Sequence, residues 1–119
     1  LISKIYIDVE LQEEDLKLSL LDELKRLEPF GLGNPRPIFC LKNTPVSDLR
    51  TVGKTDKHLK FKAGQFSAIG FDFGELKEKL KEGQLVDLAF SLDEDSWDGR
   101  RKVQLKIVDL KNTNLTNSE

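Results

Sequence analysis

The sequence contains no methionine and only one residue each of cysteine, histidine, tryptophan and tyrosine. A single cysteine, Cys40, excludes an internal disulfide, and with His58 as the one histidine a zinc site built from several such ligands is also excluded. No apolar run reaches the roughly 18 residues that a membrane helix needs, and no stretch resembles a signal peptide. We therefore expect a cytoplasmic domain, and the missing initiator predicts that it was cut from a longer protein.

Charge is unevenly distributed along the chain, whose 119 residues are enough for one domain. The net charge of −2 by itself argues against a nucleic-acid partner. Residues 50–62, however, contain five basic residues and one acidic residue, whereas residues 63–96 contain three basic and eight acidic residues. The pattern therefore predicts a local basic surface on an otherwise acidic domain.

Residues 1–37 are predicted to form a connector made of a strand, a helix and a corner. Residues 4–11 alternate between apolar and polar side chains, which is typical of a half-buried strand. Leucines then recur at helical spacing, with Ser19 as the candidate N-cap. Pro29 lacks a backbone N–H and restricts the residue before it, so the helix is expected to end there.

The segment LEPFGLGNPRPIF, residues 27–39, could be a phosphate-binding glycine loop or a rigid corner. The third glycine of a G-x-G-x-x-G motif is missing, and Pro35 and Pro37 forbid the helix whose N-terminus would bind a phosphate. Gly31 and Gly33 are instead expected to adopt turn angles that other residues resist. The residues assigned to this structural loop are Pro29, Gly31, Gly33, Asn34 and Pro35.

From Ile38 onward the apolar residues recur with a period of two, which predicts a mainly β domain over residues 38–110. Pro45 and the polar phase after it predict a bend or bulge in the first long strand. Five strands, with one short helix between the third and the fourth, are the order of an OB-fold Greek-key barrel. Residues 111–119 are expected to be a disordered tail. The predicted elements are strands at 38–53, 57–63, 66–73, 84–92 and 101–110, a helix at 74–83 and a loop at 93–100.

An OB barrel binds its ligand on the face of its second and third strands and at the loops that join strands one to two and four to five. The basic excess and the only tryptophan of this sequence occur at those positions. Since basic side chains neutralise phosphates and an indole stacks on a base, the sequence predicts a site for single-stranded nucleic acid. The predicted phosphate contacts are Arg50, Lys54, Lys57, Lys60, Lys62, Arg100 and Arg101, with Trp97 as the stacking residue and His58 as a phosphate or base contact.

Simpler interpretations exist for the same residues. Trp97 would in that case pack its loop onto the barrel, and Lys60 with Lys62 would be only a solvated strand face. The acidic loop DEDSWDG superficially resembles a calcium loop, but Trp97 occupies an oxygen-ligand position and Gln104 stands where the bidentate glutamate belongs. Cys40, between Phe39 and Leu41, is predicted to be a small core residue.

Four segments, in this order along the chain, give the sequence a resemblance to the C-terminal part of the RecJ family of single-strand-specific bacterial exonucleases. The resemblance covers nearly the whole chain, and LEPFGLGNPRPIF is its most specific segment. The other segments are RTVGKTDKHLKF from Arg50, SAIGF from Ser67 and SWDGRRKVQLKIVDL from Ser96.

The resemblance implies 5′→3′ degradation of single-stranded DNA, in DNA repair and recombination, by a manganese- or magnesium-dependent DHH/DHHA1 core. The Asp-His-His and Gly-Gly-His motifs of that core do not occur here, so the resemblance implies no catalytic residue, no metal ligand and no cofactor in this chain. It implies instead an OB module that holds the strand against the nuclease core. The alternative is a structural or interaction module that docks on that core or on single-strand-binding protein.

Overall fold

The computed structural model describes residues 8–113 and, for Trp97, the backbone alone. The described part is mainly β, with one α-helix and three short 3-10 helices at Glu13–Asp15, Lys54–Asp56 and Gly74–Glu78. Residues 4–7 of the predicted connector strand at 4–11 lie outside the described residues, and within the rest only Val9–Glu10 is strand. The regular elements are β1 (Val9–Glu10), α1 (Leu18–Lys25), β2 (Phe39–Val52), β3 (His58–Ala63), β4 (Phe66–Gly70), β5 (Leu85–Trp97) and β6 (Arg100–Asn112).

The strands form one sheet in the order β1-β2-β3-β4-β6-β5, and β5 also pairs with β2. Pairing therefore returns to the strand where it starts, through β2, β3, β4, β6, β5 and back to β2. The β1–β2 and β4–β6 pairs are parallel, and the others are antiparallel. After residue 38 the elements follow the predicted order of three strands, a helical segment and two strands, whereas β1 adds a sixth strand to the sheet.

Alternating side chains of these strands build the core. Leu59, Phe61 and Ala63 of β3 are buried, as are Val103, Leu105 and Ile107 of β6, which were predicted to face inward. Cys40 is buried as expected. The large side chains with less than 2% exposure come from four strands: Phe61, Phe90, Leu59, Leu88, Leu105, Val46 and Val86.

The predicted irregularity in β2 is confirmed. Its register against β3 shifts between Ser47 and Arg50, and Asp48 has a positive φ of 55°. The carboxylate of Glu82 accepts hydrogen bonds from the backbone N–H groups of Asp48 (2.8 Å) and Leu49 (3.0 Å). A side chain therefore satisfies backbone groups that the bulge removes from the strand ladder.

The loop predicted at 93–100 is instead strand. β5 continues to Trp97 and β6 begins at Arg100, so only Asp98 and Gly99 form the turn. Both have positive φ, 57° and 74°, and an Asp-Gly pair is typical of a two-residue hairpin turn. At its other end β6 reaches Asn112, two residues beyond the predicted barrel limit; residues 114–119 of the predicted tail lie outside the described residues.

Both helix predictions need correction. Helix α1 ends at Lys25, and its N-cap is Lys17 rather than Ser19, with no side-chain capping bond. The segment between β4 and β5 is a 3-10 helix at Gly74–Glu78 rather than a helix over 74–83. Five residues allow little more than one turn, and 3-10 geometry is typical of such short connectors.

The corner after α1 is held by Asn34. Its side-chain N–H group donates to the carbonyl oxygens of Leu27 (2.6 Å) and Pro29 (3.1 Å). Gly31 and Asn34 also exchange two backbone hydrogen bonds, at 2.8 and 3.1 Å. The prediction that Gly31 and Gly33 adopt backbone angles that other residues resist is wrong. Neither has a positive φ, and a Cβ added at either position would meet nothing within 4 Å.

Gly74 joins the turn after β2 to the turn after β4. Its N–H donates to the carbonyl oxygen of Lys57 (2.9 Å). A Cβ on Gly74 would lie 2.9 Å from the carbonyl carbon of Lys57 and closer still to the carbonyl oxygen of Asp56. The two loops therefore approach so closely that only glycine fits between them.

Gly74→Ala is expected to destabilise the protein by about 1–3 kcal/mol, because backbone rather than a flexible side chain must move. Gly33→Ala is the matched control and should change the free energy of unfolding by less than about 0.5 kcal/mol, since its surroundings are open. Urea unfolding of both variants measures the difference. Equal stabilities would contradict the close approach of the two loops.

Candidate nucleic-acid interface

The burial of Leu59, Phe61 and Ala63 places Lys60 and Lys62 on the outer face of β3. Lys60 lies opposite Arg50 of β2, and Lys62 lies opposite Ser47. Directly opposed residues in a sheet have Cβ atoms about 4.5–5.5 Å apart. Three predicted phosphate contacts, Arg50, Lys60 and Lys62, are therefore neighbours on one surface.

The same row of residues continues across β4 to β6. Lys60 pairs with Ile69, which pairs with Lys106, while Lys62 pairs with Ser67, which pairs with Gln104. Lys106 and Lys102 were not predicted as site residues. The alternation of β6 could have identified both lysines. Because Val103, Leu105 and Ile107 face inward, the residues that alternate with them face outward. We call Arg50, Lys60, Lys62, Lys102 and Lys106 the cationic face.

An open groove of about 720 Å³ lies along part of this face. Its cationic lining comes from β3, β6 and the connector, and its other charged residues are carboxylates of the connector and of β5. The Glu13 carboxylate packs against the β3–β4 hairpin, where it approaches Gly64. The charged lining residues are Lys17, Lys60, Lys62, Arg101, Lys102, Glu13, Glu14 and Asp95.

The basic residues predicted to contact phosphate differ in whether they already form an ion pair with a carboxylate. Arg50 pairs with Asp48 (2.6 Å) and Lys57 pairs with Asp72 (3.5 Å), both on exposed surface. Exposed pairs of this kind are weak and exchange readily for another anion. Among residues 8–113, no ion pair is present for Lys54, Lys60, Lys62, Arg100 or Lys102.

Arg101 occupies a different environment from the one predicted. Its guanidinium donates to Asp22 of α1 (2.6 Å) and to Glu94 of β5 (2.9 Å), and Lys25 also pairs with Glu94. Hydrogen bonds from Arg101, then Lys25 and Ser96, lower the pKa of Glu94 from 4.5 to about 2. The Arg101 hydrogen bond also lowers the pKa of Asp22. Arg101 therefore joins the connector helix to the β5–β6 hairpin.

The remaining predicted residues lie at the two ends of the face. Lys54 and Lys57 belong to the turn before β3, and the Nδ1 atom of His58 accepts a hydrogen bond from the Asp72 N–H (2.9 Å). Arg100 is exposed beside the β5–β6 turn. Trp97 lies opposite Arg100 at the end of β5, but its side chain lies outside what the structure describes.

No group of three or more His, Cys, Asp or Glu side chains within residues 8–113 could hold a metal ion. In the same part of the chain, no helix is long and apolar enough to cross a membrane.

Solved structures of low sequence similarity define the class of fold. The second single-stranded DNA-binding protein of Mycobacterium smegmatis superposes with a TM-score of 0.53 at 14% identity, covering 69% of this chain and 90% of that one. At this identity the likeness concerns the fold alone. The chain thus has the strand arrangement of OB-like β domains.

The RecJ OB domain family model matches residues 7–109, and the chain belongs to that family. It is 30% identical over 107 residues to the single-stranded-DNA-specific exonuclease RecJ of Bacillus subtilis, covering 87% of this chain and 14% of the relative. It also superposes on RecJ of Thermus thermophilus, solved in complex with Mn²⁺, with a TM-score of 0.72 at 29% identity, covering 91% of this chain and 16% of that one. The chain thus spans about one seventh of the relatives it matches.

Glu94→Gln is expected to lower the midpoint of thermal unfolding at pH 7, because it weakens the contacts to Arg101 and Lys25. Since folding lowers the Glu94 pKa, this stabilisation is complete above pH 4.5 and is lost as the pH falls towards about 2. The midpoint difference between wild type and variant should therefore shrink across that interval.

Glu75→Gln makes the same change at an exposed glutamate that has no ion pair within residues 8–113. It should leave the midpoint nearly unchanged. Identical unfolding of wild type and Glu94→Gln at pH 7 would show that the contacts contribute nothing.

Proposed function

We propose that this chain is the OB module of a RecJ-like exonuclease and that it binds single-stranded DNA without strong sequence preference. Its five strands β2–β6 would form a Greek-key barrel, which the circuit of strand pairings supports. Membership in the RecJ OB domain family supports the proposal that the parent protein is an exonuclease. The cationic face is the observation that carries the assignment of the ligand.

The row Arg50–Lys60–Ile69–Lys106 crosses four adjacent strands. Adjacent strands lie about 4.8 Å apart, so the row extends over roughly 14 Å and is wide enough for more than one phosphate. Lys62 and Lys102 add cations on the same side. Most carboxylates of the acidic segment 63–96 lie outside the groove lining, so phosphates are attracted to this face more strongly than to the surface formed by that segment.

The contacts are proposed to be to phosphate, which positions a strand without reading its sequence. Lys60 and Lys62 are the central contacts, Arg50, Lys102 and Lys106 flank them, and Lys54, Lys57, His58 and Arg100 extend the path at its ends. Trp97 stays a proposed stacking residue. Arg101 is proposed to act by fixing α1 beside the groove, because two carboxylates already hold its guanidinium.

Hydrolysis is proposed to take place on a DHH/DHHA1 core absent from this sequence, with Mn²⁺ or Mg²⁺ bound there. The module would position the 5′ strand for that core, in a bacterial cytoplasm. The share of the relatives that this chain spans, 14%, leaves room for such a core in the parent protein.

A structural or protein-docking role is the alternative, favoured by exposed apolar side chains on the connector. Leu32 is fully exposed and Leu27 is half exposed, both on the corner between α1 and β2. Such a corner would dock on the nuclease core or on single-strand-binding protein.

Binding of this chain to an oligothymidylate is expected to weaken with salt. If about four phosphates are neutralised, the plot of log K against log salt concentration should have a slope near −3, about −0.7 for each phosphate of a single strand. Fluorescence anisotropy at several salt concentrations measures the slope. A slope near zero would be incompatible with a phosphate-binding face.

Lys60→Glu with Lys62→Glu is expected to abolish this binding, because the change puts two negative charges at the centre of the face. Lys77→Glu with Lys79→Glu is the matched control, since it makes the same change of net charge at exposed residues around the 3-10 helix Gly74–Glu78. The control should retain binding. Unchanged affinity of the first variant would favour the docking alternative instead.

A further inference from the structure

Phe71 is a large apolar side chain left in solvent beside the cationic face. It follows β4 directly and is 48% exposed, whereas the inward residues Ala68 and Gly70 are buried. By alternation it continues the outward series of Ser67 and Ile69, whose strand partners include Lys60, Lys62 and Lys106. An aromatic ring therefore stands at the end of the rows that carry the cations.

The turn that contains Phe71 is held by hydrogen bonds of the residues before and after it in the chain. The Asp72 N–H donates to the His58 Nδ1 atom (2.9 Å), and the imidazole and phenyl rings meet edge to face with centroids 5.2 Å apart. The Phe73 N–H donates to the Gly70 carbonyl oxygen (3.2 Å). With the close contact at Gly74, these bonds hold the ring in place before any ligand arrives, which lowers the entropic cost of binding.

One cation lies over this ring, and a second is paired with the next residue. The Nζ atom of Lys106 lies 5.6 Å from the centroid of Phe71, over the ring face. Lys57 pairs with Asp72, the next residue in the chain. A flexible ammonium group on the ring face shows that this face is reached from the surface, so another planar group can take its place while the ammonium turns to a phosphate.

The chemistry of the surroundings selects the ligand. A cation could bind to an aromatic ring, but the lysines at this site would repel it. An aliphatic protein surface could pack against the ring, but it would leave the ammonium groups without partners. A nucleotide satisfies both, because its base is a planar ring that stacks on an aromatic face and its phosphate is an anion.

We propose that Phe71, supported by His58 and flanked by Lys106, is a stacking platform for one base of the bound strand. This assignment rests on the proposed DNA-binding function and adds to it a contact with a base instead of a phosphate. Neither the charge pattern nor the predicted role of Trp97 requires it.

The test pairs a change in the protein with a change in the strand. The dissociation constant of an oligothymidylate is measured for wild type and Phe71→Ala, and again for an abasic sugar-phosphate strand of equal length. Loss of the platform should weaken oligothymidylate binding about 5- to 150-fold, the effect of one stacked base. Phe71→Ala should leave binding of the abasic strand unchanged, because the phosphate contacts remain.

Two further variants identify the ring as the cause. Phe71→Tyr keeps an aromatic face and should bind like wild type, whereas Phe71→Leu keeps an apolar side chain and should bind like Phe71→Ala. Leu32→Ala removes an exposed apolar side chain on the corner and should have no effect. Thermal unfolding of each variant verifies its fold.

Three results would overturn the stacking platform alone: equal affinity of wild type and Phe71→Ala for oligothymidylate, equal weakening on both strands, or full affinity of Phe71→Leu. In each of these cases the wild type still binds in a salt-dependent manner. Absence of any binding by the wild type would instead overturn the proposed DNA-binding function, and the platform with it.

Discussion

The burial of Leu59, Phe61 and Ala63 in the core decides the direction of every other side chain on β3. Because side chains alternate along a strand, a slip of one residue would put Lys60 and Lys62 into the core and these three residues into water. Burying two ammonium groups is far too unfavourable for that register to compete. The same constraint fixes the register of the neighbouring strands, so that Arg50 lies beside Lys60 and Lys106 lies on the same outer surface, beyond Ile69. The cationic face is thus a consequence of the apolar packing beneath it.

Basic residues on this domain divide into a structural group and a group proposed to bind phosphate, and their ion-pair partners distinguish the two. Arg101 lies between Asp22 and Glu94 and connects the connector helix to the β5–β6 hairpin. Lys60 and Lys62, by contrast, have no ion pair within residues 8–113 and line an open groove. An arginine suits the first role, since its planar group donates to two carboxylates at once. The acidic balance of the chain is therefore compatible with a local phosphate site.

Much of the architecture could be predicted, and the errors have identifiable causes. The period of two predicted β2, β3, β4 and β6 to within a few residues, and the bulge in β2 was foreseen from its broken phase. The polar residues of the segment 93–100 predict a loop, which is wrong, although Asp98-Gly99 is a strong hairpin signal. The glycines of the corner were expected to need special backbone angles, but Asn34 makes the hydrogen bonds that hold it. In both places the composition of the segment was less informative than one specific residue.

Local information in the chain was sufficient for the strand periodicity, for the burial of Cys40, for the position of the basic segment 50–62 and, through its motifs, for the family. Tertiary structure alone decided which distant residues meet. Phe71 and Lys106 come together through the pairing of β4 with β6. Asp22 and Arg101 come together because α1 packs against β5 and β6. Alternation tells on which side of a strand a residue lies. The register between strands then determines what lies beside it, and that register depends on the packing of the whole core.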